Sequence, residues 1–383
     1  MKVEKLEGQQ RQETRALYEE VFSEDSCEFV DYYYQNKAVA NEIFVAKDEE
    51  TIFGMMHINP YLLCTDGEEE EGAYLVAVAT KKEFRHRGIM TALLREAFSS
   101  LYEKREPFLY LMPASEAIYT PFDFRFFYWQ NRYHIQTETL RQSVQEGQTE
   151  QEEKQNSRKL SVREAKKQDI PQLCAMENEV LSERYRLFAK RTPEYFADLM
   201  QELSAMKSKL FVIFDGEICA GSFQLLLEEE IMVLEPLAKR QYRAQLWETI
   251  KTFLWERKFY AGNRQIQIAA FDSEMLGFSQ ERENEKVQRK PWLMGRIIHL
   301  EQWILRLKSR QEKTVWMEVE DSWIRENEGR YKITVNREGG KIRRIDRMET
   351  GQENKFCKLS IAEIPEFFKE EDPAAQAFLN EWV

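Results

Sequence analysis

The order of patterns between Ile43 and Leu101 recurs between Leu210 and Leu254, and this recurrence limits the fold more than any single motif. IFVAKDEETIFGMM, from Ile43, reads as strand, polar turn, strand; LFVIFDGEICAGSF, from Leu210, repeats that order around Gly216. After each come acidic residues, another strand and a basic corner entering an amphipathic helix: EFRHRGIMTALL in the first block, QYRAQLWETIKTFL in the second. A unit used twice predicts two like domains rather than one continuous core. Between them, RQSVQEGQTEQEEKQNSR has Val144 as its only aliphatic side chain and no aromatic, too little apolar surface to offset the entropy of ordering it. From about Pro291 the pattern changes. RIIHLEQWILRLK, from Arg296, has apolar residues at helical spacing, and VWMEVEDSWI, RYKITV and KIRRID read as short strands. The expected organisation is α+β, with domains at 1–140, 159–290 and 291–383 and a linker at 141–158.

Composition narrows the function. With 383 residues, 43% of them hydrophobic, the chain is long enough to bury more than one core. Its five cysteines are scattered, with no CxxC pair, so neither a zinc site nor a disulfide framework is expected, and no metal. MKVEKLEGQQ has no apolar signal region, and no run approaches the ~18 apolar residues that a membrane helix needs. The expectation is a soluble protein of the cytoplasm with no membrane partner. A net charge of −12 argues against nucleic acid as a partner, which binds basic surfaces. The acidity maintains solubility or gathers a polycationic substrate.

The corner in VATKKEFRHRGIMTALL carries the chemistry. A strand ending at a glycine-bearing turn and running straight into a helix leaves backbone N–H groups pointing outward at the positive end of the helix dipole. That arrangement suits phosphate or pyrophosphate. Gly88 clears a side chain from the place where backbone meets ligand, while Arg85 and Arg87 add charge. Ile89, Leu93, Leu94, Ala97, Phe98 and Leu101 give the helix one apolar face. In the second block Gln245 stands opposite Arg87 and Leu246 opposite Gly88, so only the first corner is expected to hold an anion. Neither a GxxxxGK[ST] loop nor a GxGxxG fingerprint occurs.

Arg85-His86-Arg87-Gly88-Ile89-Met90 resembles the R/Q-x-x-G-x-G/A pyrophosphate loop of the GCN5-related N-acetyltransferases (GNAT), with Met90 departing at the sixth position. FLYLMPASEAIYTPFDF, from Phe108, is similar to the strand, turn and Y-x-x-x-G-F segment that follow that loop in the family, with Asp123 in the glycine's place. Two acetyltransferase-like halves, the second with a degraded corner, a closing α+β domain, the IYTPFDF turn and the ending FLNEWV together resemble the enhanced intracellular survival (Eis) family.

The resemblance implies tandem GNAT folds, mixed central sheets flanked by helices, with a sterol-carrier-like (SCP2-like) third domain. It implies acetyl-CoA as cosubstrate, and as acceptor a primary amine of the aminoglycoside, polyamine or lysine type. The backbone of Val78, Ala79 and Thr80 would hold the pantetheine arm and polarise the thioester carbonyl. Residues 85–91, namely Arg85, His86, Arg87, Gly88, Ile89, Met90 and Thr91, would cradle the pyrophosphate, with Ser115 also on the cofactor. Tyr119 would be the general acid, and the terminal carboxylate of Val383 the group that holds the amine and takes its proton. None of the four histidines stands out as a base. A homo-oligomer, in the family a hexamer, is implied. In FSEDSCEFVDYYY, from Phe22, the carboxylates Asp25, Glu28 and Asp31 could wall a cationic substrate, but the aromatics are expected in a helix core. Two other readings are a noncatalytic acyl-CoA sensor and a lipid-binding module.

Overall fold

Five strands lie side by side in chain order: β1 (Lys2–Leu6), β2 (Glu42–Lys47), β3 (Ile52–Thr65), β4 (Glu68–Thr80) and β5 (Phe108–Leu111). The first four are antiparallel, joined tightly enough for Asp66 and Gly67 alone to close β3 onto β4, both left-handed with φ 50° and 88°. β5 is parallel to β4, because the chain first crosses over through a helix. The computed structural model describes residues 1–49, 51–135, 160–227, 230–259, 266–271, 274, 276, 287–346 and 356–381. The expected linker at 141–158 lies outside them.

These strands belong to a first unit made of Met1–Tyr128, Arg186–Ala189 and Trp292–Val383. Helices α1 (Arg15–Val21) and α2 (Cys27–Tyr32) follow β1, the second capped by Ser26 Oγ, which accepts from the Phe29 N–H at 3.2 Å. The crossover helix α3 (Ile89–Glu103) buries the six apolar residues of its predicted face against Phe44, Ile58, Leu75, Leu109 and Met294. Leu93 is wholly enclosed there, so truncating it to alanine is expected to cost about 2–5 kcal/mol. The short helix α4 (Glu116–Tyr119) leads to β6 (Arg125–Ile135).

The outer edge of β5 pairs antiparallel with Met294–Ile297, at the end of a strand spanning Val287–Ile297. This corrects the helix expected from Arg296, which begins only at Leu300 and ends at Leu305. The extended backbone completes β5's ladder and places the Arg296 guanidinium inside the protein, 2.6 Å from Asp321. A separate four-stranded sheet follows, in the order 340–344, 329–335, 313–320, 357–360. The end of the chain is held by Ala377–Phe378, which pairs with Leu187–Phe188; that segment pairs in turn with β3.

The second unit comprises Trp129–Tyr185 and Lys190–Pro291. Its sheet runs 161–164, 209–215, 218–227, 231–238, 266–269, and the last of these pairs with 132–135 of β6. The order of antiparallel hairpins followed by a parallel pair is that of the first unit, so mixed sheets flanked by helices are built twice. No helix among the described residues is long and apolar enough to cross a membrane.

Candidate active site

β4 and β5 pair only at Ala73 with Leu109 and Tyr74 with Tyr110, after which their ladder stops. On its other side β4 bulges: the register against β3 slips between Met55 and His57, and Ala77 takes the left-handed φ of 51°. A bulge adds a residue and bends its strand, which turns the far end of β4 away from β5. From Leu75 to Thr80 the β5 side of β4 therefore carries backbone donors and acceptors with no strand opposite them. An extended ligand can complete such an edge as a strand would. Val78 and Thr80 are half-buried and Ala79 is buried.

Beyond Thr80 the chain makes one tight turn, Lys82–Phe84, pinned by Phe84 stacking on Phe53 with ring centroids 4.4 Å apart. Arg85 Nε donates back to the Thr80 carbonyl at 3.2 Å. His86 and Gly88 then take left-handed φ values of 61° and 75°, and α3 begins at Ile89. Among the described residues, the N–H groups of His86 through Thr91 meet no acceptor. Left-handed residues alternating before a helix start gather successive N–H groups into an anion-binding hollow, reinforced by the helix dipole. A Cβ on Gly88 would touch no protein atom within 4 Å, and its left-handed φ is one that glycine takes without strain. Arg85, His86 and Arg87 are exposed. Met90 packs against the core under α3, and Thr91 is half-buried.

The second unit starts the same way and ends differently. Arg243 Nε donates to the Ala238 carbonyl at 3.4 Å, as Arg85 does to Thr80, but the helix begins at Arg243 itself. Gln245 and Leu246 lie within that helix, with Leu246 buried in the core. The Leu246 N–H lies a full turn in, where it joins the helical ladder. The bulge recurs at Glu235, φ 49°, where a buried carboxylate takes Arg191 at 3.1 Å and the Gln224 amide at 3.1 Å.

Tyr119 ends α4, with its ring edge-on to Phe124 at 5.9 Å. Burial pushes its phenol up to about 12, and its hydroxyl finds no hydrogen-bond partner among the described residues. It belongs to the core cluster that holds Ile89 and Leu111, and Val78, Phe84 and Met90 pack on that cluster. The open edge, the corner and the tyrosine are thus gathered around one core. Ser115 is the N-cap of α4, with extended backbone and no side-chain capping bond. Asp123 adopts φ 65°, the conformation a glycine would take there, which aspartate tolerates better than most residues.

Val383 lies outside the described residues. The chain leading to it is docked: Tyr128 donates to Asn380 Oδ1 at 3.0 Å, and Glu381 is buried. In the amino-terminal helices Asp25 accepts from the Tyr18 hydroxyl at 2.8 Å, Asp31 pairs with Arg15 at 2.6 Å, and Tyr33 and Tyr34 are wholly buried. Sequence reasoning missed Ala77, since alanine gives no signal of a left-handed bulge, and Arg296, whose burial depends on a partner 25 residues away. Among the described residues no His, Cys, Asp and Glu side chains cluster as a metal would need.

Residues 2–127 match the family model for the acetyltransferase (GNAT) domain. No curated protein matches at the level of sequence. Among solved structures, the chain is similar to a probable N-acyltransferase from Enterococcus faecalis V583, with 15% identity, TM-score 0.75 and coverage of 100% of this chain and 99% of that one. A GCN5-related N-acetyltransferase from Anabaena variabilis is 14% identical with TM-score 0.72, covering 99% and 98%. Eis1 from Mycobacterium abscessus is 13% identical with TM-score 0.61, covering 96% and 89%. At such identities the likeness speaks for the fold.

Proposed function

We propose that this N-acetyltransferase, whose residues 2–127 are a GNAT domain, carries acetyl from acetyl-CoA to a primary amine at the corner and open β4 edge of its first unit. The observation that carries the reading is the run of unpartnered N–H groups from His86 to Thr91 at the start of α3, beside a strand edge with no neighbour. Pyrophosphate sits on that run, with Arg85 and Arg87 screening its charge and Ser115 on the same cofactor. The pantetheine arm lies along β4, and the backbone N–H groups of Val78 to Thr80 polarise the thioester carbonyl. The amine forms the new C–N bond, and collapse of the adduct breaks the C–S bond. Tyr119, kept protonated by its burial, donates to the departing thiolate. The terminal carboxylate of Val383 holds the ammonium group and receives its proton, directly or through water.

The second unit is a degenerate copy that takes no coenzyme, since its helix begins at Arg243 and a carboxylate fills its bulge. The proposal includes a catalytic domain at 1–140, a degenerate one at 159–290, a sterol-carrier-like platform at 291–383, and a cytoplasmic homo-oligomer. Aminoglycosides, polyamines and lysine side chains are the acceptors to try. The test is thiol release from acetyl-CoA with that panel, beside Tyr119→Phe and a chain lacking Val383. Turnover that collapses in both variants is the expected result. Tight acetyl-CoA binding with no release above background for any amine would favour a sensor, and failure to bind acetyl-CoA would overturn the reading.

A further inference from the structure

The turn that bears Tyr119 ends in two backbone carbonyls, and both are taken by donors from the last hundred residues of the chain. Arg296 Nε donates to the Phe122 carbonyl at 2.9 Å, and Trp323 Nε1 donates to the Pro121 carbonyl at 3.3 Å. One carboxylate sets both donors: Asp321 Oδ1 accepts from Arg296 Nη2 at 2.6 Å and from the Trp323 N–H at 3.0 Å. The same two side chains grip the pyrophosphate helix. The Arg296 guanidinium lies 4.5 Å from the Phe98 ring centroid, and Arg95 lies 5.5 Å from that of Trp323. Trp323 also packs on Phe122, with centroids 4.9 Å apart. Arg296 and Asp321 are fully enclosed, which is a costly way to hold a surface turn and an effective way to fix one position.

We infer that Trp323, with Arg296 and Asp321 behind it, is a positioning residue for acetyl transfer: the carboxy-terminal domain sets the Tyr119 turn against α3. The inference rests on Tyr119 acting as the acid proposed above. A domain of sterol-carrier-like outline thereby acquires a role in the chemistry without touching substrate. The geometry asks little of coenzyme affinity, because the corner at residues 85–91 makes none of these contacts, and much of the distance between the Tyr119 hydroxyl and the leaving sulfur. Small misplacements of a catalytic group cost rate steeply.

Arg296 is too enclosed to replace informatively, so the test uses Trp323→Phe, which keeps a ring and removes the N–H, and Trp323→Ala in the full chain. Each is measured alone and combined with Tyr119→Phe, for kcat, KM, acetyl-CoA affinity by calorimetry and melting temperature. The expected result is kcat lowered about tenfold by Trp323→Ala and less by Trp323→Phe, acetyl-CoA affinity within about twofold, and no further loss when Tyr119→Phe is already present. If Trp323→Ala fails to fold, Trp323→Phe carries the comparison alone. Losses that add to those of Tyr119→Phe, or unchanged kcat in both Trp323 variants while Tyr119→Phe is impaired, overturn the positioning role and leave the acid in place. Full activity in Tyr119→Phe removes the acid, and the positioning role with it.

Discussion

Arg191 lies between two buried carboxylates, 3.0 Å from Glu177 and 3.1 Å from Glu235, and Glu235 stands at the bulge that Ala77 occupies in the first unit. Where the first unit has an alanine at the bulge, the second has a buried ion pair. Breaking it should be costly, because burial already raises the Glu177 carboxyl despite its cation. Arg191→Met is expected to destabilise the second unit by about 3–5 kcal/mol, read from urea unfolding. Acetyl-CoA stoichiometry by calorimetry should stay at about one per chain. A second equivalent, before or after the substitution, would contradict the assignment of one working copy.

Gly88 separates two causes that sequence alone confounds. Its φ of 75° strains any residue with a Cβ, yet nothing lies within 4 Å of where that Cβ would be. Conformation rather than collision should therefore order the variants. Gly88→Ala is expected to cost about 1 kcal/mol and weaken acetyl-CoA binding by roughly five- to tenfold. Gly88→Asn, a larger residue that enters the left-handed region more readily, should lose less. Equal or reversed losses in a titration of the two variants would mean that space, not φ, is what the corner requires.

The corner's geometry was legible because it is written in local chemistry: a glycine, two arginines and a helix face within 17 residues from Arg85 to Leu101. Local pattern likewise placed β2, β3 and the two hairpin strands from Lys209 to Leu227. What it could not place depends on distant partners. Met294–Ile297 is a strand because β5 needs a neighbour, and its apolar spacing alone reads as helix. Ala77 and Glu235 share a bulge although neither residue favours a positive φ, since the register across the hairpin, not the side chain, imposes it. The second unit's different corner was visible as Leu246 in place of a glycine, while the Arg191 pairing with the carboxylate at its bulge was not.

His57 gives the fold an acid limit. The wholly buried imidazole has its Nδ1 2.8 Å from the Tyr33 hydroxyl, which also accepts from the Asn41 amide at 3.1 Å, and no carboxylate among the described residues faces it to stabilise a charge. Burial lowers its pKa from 6.5 to about 3. In the unfolded chain the same ring takes a proton near 6.5, so the unfolded state binds more protons across that window and stability falls as the pH falls. The expected slope is up to about 1.4 kcal/mol per pH unit below the unfolded value, seen by comparing melts at about pH 7 and about pH 5. His57→Gln should be less stable at neutral pH but flatter in acid. A variant with the same acid slope as the parent would assign the effect to other groups.

Tyr119 supplies the opposite limit. Its folded pKa of about 12 exceeds the ordinary 10.0, so the stability it contributes is whole below 10.0 and is lost as pH rises through about 12, where the buried phenol must ionise. Tyr33 and Tyr110 are also raised by burial, so only the difference between parent and Tyr119→Phe isolates this ring. That difference should grow in the parent's disfavour between about pH 10 and about pH 12. In the proposed mechanism the same proton serves catalysis: a donor this reluctant to ionise stays loaded at neutral pH, and kcat should show no alkaline loss from it below about pH 10. Tyr119→Phe is expected to lower kcat by about 10²–10⁴-fold throughout that range. A deficit confined to alkaline pH would mean that the phenol supports the fold and that the thiolate takes its proton from elsewhere.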